Sequence, residues 1–143
     1  MHAQQQRPLF KHMVSQWSQL LYVLVAWLFA LCIVVQAFLA GLSIFAGPAW
    51  WVIHVEAGHW FNPIPILLLL LAFPGRFPRS IVLLSALLFI QNELQVALIE
   101  AAGSLRWPVL AALHPVNAVV MFWVTVTVAR QAQRWRKERT GTH

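Results

Sequence analysis

The chain has 143 residues, of which 60% are hydrophobic and only 10% charged, with a formal net charge of +6. Soluble domains average about 25% charged residues, so this composition excludes an ordinary soluble enzyme or binding domain and points to the membrane. Four apolar stretches, 20–46, 52–73, 81–102 and 107–129, each hold 22 residues or more. About 20 helical residues cross the hydrocarbon core of a bilayer. The reading is therefore all-α: an integral membrane four-helix bundle that fills nearly the whole chain without a second domain.

Taken in chain order, residues 1–19 are polar and basic with scattered apolar positions, and are expected at the cytoplasmic interface or frayed. The first apolar stretch far exceeds the 7–15 residues or so of a cleavable signal core and reads as a retained anchor. Cys32 is the single cysteine. It allows no intramolecular disulfide and no C-x-x-C-H haem attachment, and reads as an apolar filler. Gly47-Pro48 ends the first helix, and Pro74-Gly75 with Pro78 ends the second. Gly103 closes the third, and Pro108 suits the first turn of the fourth, where a missing N–H costs little. Short connections predict an up-down-up-down bundle.

Charge sets the expected orientation. Arg7 and Lys11 precede the first helix, Arg76 and Arg79 lie between the second and third, and five basic residues from Arg130 to Arg139 follow the fourth. The other two connections offer only Arg106. By the positive-inside rule both termini are cytoplasmic. The basic tail, 130–143, is expected to contact anionic lipid rather than nucleic acid. Trp50, Trp51, Trp60 and Trp107 on the outer side, and Trp17 and Trp135 on the inner, read as aromatic belts.

Candidate chemistry begins with a repeat. Gln36, His59 and Asn62 recur as Gln91, His114 and Asn117, each pair 55 residues apart, which makes two repeated helical hairpins. At about 1.5 Å per residue, His59 and His114 each lie roughly 10 Å below the outer face. Gln36, Glu93 and Gln95 fall at the same level. Polar groups at that depth must face protein or water. Pro63, Pro65 and Pro115 each strip a helical donor from a nearby carbonyl, which kinks the helix or opens the bundle for a ligand.

Zinc fits poorly. His54 and His59 are five apart, about 140° around a helix, and Glu56 with His59 gives only two ligands on one face. Haem b fits better: two histidines on facing helices at one depth are what bis-imidazole ligation needs. His59 and His114 are the expected iron ligands, with His54 as substitute. Gln36, Gln91, Asn62 or Asn117 would hold the other imidazole nitrogen, and Arg106 a propionate. The alternative is that these residues are helix–helix hydrogen-bonding groups. Glu93, with no intramembrane lysine or arginine beside it, reads as a proton relay or a cross-helix hydrogen-bonding residue.

Two resemblances enter on these residues. Gln36-x-x-x-Ala40-Gly41, a histidine opening the second helix, and Leu113-His114-Pro115-Val116-Asn117-Ala118 opening the fourth resemble an uncharacterised family of small bacterial four-helix membrane proteins, across most of 30–130. Glu56-Ala57-Gly58-His59 is similar to the Glu-x-x-His of haem A synthase, an eight-helix protein whose four-helix halves carry haem-ligating histidines at the outer ends of their second and fourth helices. Trp60 stands where an arginine commonly follows that histidine, and this chain has one half's worth of helices. The resemblance implies haem ligation in the cytoplasmic membrane of a bacterium, with haem-modifying activity only if two chains form a homodimer.

The expected function is accordingly electron transfer or haem handling near the outer face, with a membrane redox partner. The alternatives are a cofactor-free assembly subunit of a larger complex, or a proton or small-solute conduit using Glu93. No nucleophile–base pair, phosphate loop or dinucleotide fingerprint is visible, so hydrolase or dehydrogenase chemistry is not expected.

Overall fold

A computed structural model describes the backbone of residues 2–141 and the side chains of 10–139 and 141. It contains α1 (His2–Phe45), α2 (Ala49–Phe61), α3 (Ile64–Ala72), α4 (Arg79–Ser104) and α5 (Pro108–Thr140), with no strand among the described residues. Four segments are long and apolar enough to cross a membrane: Phe10–Phe45, Ala49–Ala72, Arg79–Ser104 and Pro108–Arg139. Helix is the form such sequences must take in lipid, because it satisfies every backbone group within the segment.

The second span is α2 and α3 together, interrupted at Asn62-Pro63. Pro63 and Pro65 withhold the N–H groups that the carbonyls of His59 and Phe61 would accept, and two omissions in three residues break the helix. The turn re-forms through Asn62 N to Gly58 O (3.0 Å) and Leu67 N to Pro63 O (3.2 Å). A single proline is tolerated: Pro115 lies inside an unbroken α5. Gly47, between α1 and α2, takes φ 131°, a conformation open to glycine alone at little cost.

Both ends of the chain are more helical than the sequence leads one to expect. At about 1.5 Å per residue, the 44-residue α1 is roughly 65 Å long, more than twice the hydrocarbon thickness. The segment expected to lie at the interface therefore continues the helix, and α5 likewise carries its basic tail as helix to Thr140. The α1 extension is anchored by Gln19, whose Nε2 donates to the Gly75 carbonyl (2.8 Å), with Ser15 Oγ donating to the same oxygen (3.4 Å).

α1 packs against α2, α3 and α5, and α4 packs against α3 and α5, which closes a ring. The core lies toward the termini, around Tyr22, Phe29, Leu68, Ile81, Leu88 and Val128. Inside it the Tyr22 hydroxyl bonds Ser85 Oγ (2.7 Å), and Ser85 donates to the Ile81 carbonyl (2.8 Å). The opposite end, carrying Gly47 and Arg106, is looser. α2 has no buried residue, and neither does α5 between 108 and 120. Those two segments hold His54, His59 and His114.

Candidate functional site

The histidine that α2 presents to the interior is His54. Its ring lies 6.5 Å from that of His114, centroid to centroid, edge to face at 66°. His59, the expected partner of His114, is exposed. Five residues turn a helix by about 140°, so only one of the two can face α5. Trp51, one turn before His54, stacks on its imidazole at 5.0 Å and 22°.

Each imidazole is oriented by a main-chain carbonyl of the preceding span. His54 Nδ1 lies 3.1 Å from the Gln36 carbonyl oxygen, and His114 Nδ1 lies 3.0 Å from that of Gln95. A carbonyl can only accept, so Nδ1 carries the proton in both rings. In the neutral ring Nε2 then keeps its lone pair. Main-chain oxygens thus do what the side chains of Gln36, Gln91, Asn62 or Asn117 were expected to do. The bonded pairs Gln36–His54 and Gln95–His114 are also offset by 59 and 60 residues rather than by the 55 of the polar repeat.

The remaining polar groups tie the helices around this pair. Asn117 Nδ2 donates to Gln95 Oε1 (2.6 Å) and to the Gln91 carbonyl (2.8 Å), joining α5 to α4. Asn92 Nδ2 donates to Asn62 Oδ1 (2.6 Å), joining α4 to the α2–α3 break. Gln36 Oε1 and Gln91 Oε1 are buried with no hydrogen-bond partner among the described residues. A buried acceptor of this kind costs about 1–3 kcal/mol if left unmade. Gly58 gives the Gln36 amide its room, since a Cβ there would lie 3.1 Å from Nε2.

Gln95 was expected in the polar layer, but neither its bonds nor the role of Asn92 was read from the sequence. The signal was present in Gln91-x-x-x-Gln95, whose spacing of four puts both residues on one helix face. Arg106, at φ 51°, caps the end of α4 in the left-handed conformation and is exposed, about 10 Å along the axis of α5 from the level of His114. Glu56 and Glu93 are exposed as well. Glu93 makes no bond across the helices and points outward, so its placement lends nothing to a proton path through the interior. Among the described residues no group of three or more histidine, cysteine, aspartate or glutamate side chains is placed to hold a metal ion.

Residues 36–103 match a family of unknown function, DUF6220. The match runs from Gln36 to Gly103, just under half of the chain, and takes in His54, Asn62 and the Gln91–Gln95 face but stops short of His114. No curated protein and no solved structure matches the chain. None of these comparisons supports the likeness to haem A synthase.

Proposed function

We propose that this multi-pass membrane protein holds a b-type haem between His54 and His114, with both termini cytoplasmic, the helices running up-down-up-down and the haem in the outer half. The observation that carries the reading is the matched pair of Nδ1–carbonyl bonds, which leaves Nε2 of both rings available to a metal. A hydrogen bond on the far imidazole nitrogen is the usual support of a ligating histidine: it fixes the tautomer and raises ligand basicity.

The donor set favours haem over a bare ion. Zinc takes three or four protein ligands, and this site offers two. Haem asks the protein for only one or two ligands to its iron. His54 and His114, with ring centroids 6.5 Å apart, would supply them. The lack of buried residues in α2 and in 108–120 supplies the give that a large flat group needs.

Bound there, haem supplies reversible one-electron chemistry, consistent with electron transfer or haem handling on the outer side. The chain's own task is to orient the two rings, through Gln36, Gln95 and the Trp51 stack, and to exclude lipid from the pair. The test is haem titration of the purified protein and its variants. His54→Ala and His114→Ala should weaken binding by at least about 100-fold, the upper end of what loss of a supporting group does. His59→Ala should change it by less than about threefold. Retention of haem by the His54 and His114 variants would remove the assignment.

A further inference from the structure

Three of the four acidic residues of the chain, Glu56, Glu93 and Glu100, lie on α2 and α4, and all three are exposed. Glu93 is the most demanding. It stands about 20 Å along α4 from Arg79 and about 16 Å from Ser104, which places it well inside the span. A carboxyl at that depth facing hydrocarbon costs about 2.5–3.5 kcal/mol on insertion scales.

Its direction follows from its neighbours. Gln91 and Gln95 engage α5, and Asn92 engages Asn62 at the α2–α3 break. Glu93, about 100° further round α4, emerges on the flank nearest α2. His59 emerges on the matching flank of α2, about 60° beyond Asn62 and away from His54. The Asn62–Asn92 bond sets the register between the two helices. His59 is three residues outward from Asn62 and Glu93 one residue outward from Asn92, so they differ in depth by about 3 Å. Both are exposed, and among the described residues neither makes a hydrogen bond or ion pair. A hydrogen-bonding pair of complementary kind thus stands without a partner among the described residues, on one face and at similar depth.

We infer that this face binds a second copy of the chain. In a dimer with its two-fold axis along the membrane normal, His59 of each protomer meets Glu93 of the other. Such an isologous contact places the same two residues on both sides and satisfies them twice. A second copy supplies the complementary partner at the right depth in both directions. The inference does not rest on haem binding, since His59 lies outside the proposed ligand pair.

The experiment is Förster transfer between donor- and acceptor-labelled chains in liposomes at graded protein density. Wild type should dimerise. Glu93→Ala and His59→Ala should each weaken association by about tenfold, as loss of two interhelical hydrogen bonds of about 1 kcal/mol or less implies. The exchange His59→Glu with Glu93→His should restore it. Circular dichroism and thermal midpoints of the same variants, expected unchanged, confirm that they fold. A monomer at every density, a dimer indifferent to both single substitutions, or an exchange that fails to restore association would each overturn the inference.

Discussion

At His54 and His114 the position of one proton decides what the ring can do. Bound through Nδ1 to a carbonyl, each imidazole keeps Nε2 for a ligand, and an apolar bundle end becomes a candidate cofactor site. The Tyr22–Ser85 pair obeys the same logic. Ser85 donates to Ile81, so Tyr22 must be the donor to Ser85. Tyr22→Phe removes the donor but leaves the Ser85 hydroxyl donating to Ile81, and should lower stability by about 1 kcal/mol or less. Ser85→Ala leaves a fully buried hydroxyl without a partner, and should cost more, about 1–3 kcal/mol. Denaturation of the two variants in mixed micelles checks the order. His114 was legible in the sequence as an inward residue, whereas the choice between His54 and His59 was not. α2 is apolar almost all round, and lipid is as apolar as a helix interface, so no pattern marks its inner face.

Among the elements, the interrupted second span holds His54 in place, because Asn62 at the break reaches Asn92 on α4. Replacing Pro63 and Pro65 with leucine should fuse α2 to α3, turn His54 away from His114 and weaken haem binding by about tenfold or more. Pro115→Ala should change stability by less than about 1 kcal/mol, because α5 is already continuous. Circular dichroism and haem titration separate the two cases. In the turn after α3, a Cβ on Gly75 would stand 2.8 Å from the Phe77 ring, while its carbonyl receives Gln19 and Ser15. Gly75→Ala should therefore destabilise the fold by about 1–3 kcal/mol, read as a lowered thermal midpoint. The four spans and their breakers could be read from apolar length, proline and glycine. The early start of α1 could not, because what holds Ser15 and Gln19 is a turn 56–60 residues away.

The whole molecule is tight toward its termini and open at the end that carries Gly47 and Arg106. Positive charge gathers at the tight end and the paired histidines sit toward the open one, an asymmetry already present in the distribution of arginine and lysine. Cysteines placed at the exposed Arg106 and Arg79 in a Cys32→Ser background should differ in labelling by an impermeant reagent applied to intact cells, with only the first reacting. The reverse pattern would invert the proposed orientation. The central claim is met most directly by a reduced-minus-oxidised visible spectrum of the detergent-purified protein, expressed with ample haem. A sharp Soret band and a resolved α-band of low-spin iron are the expected result, and His54→Ala should abolish them. A flat spectrum from well-folded protein would contradict the haem site and leave His54 and His114 as residues that pack the helices.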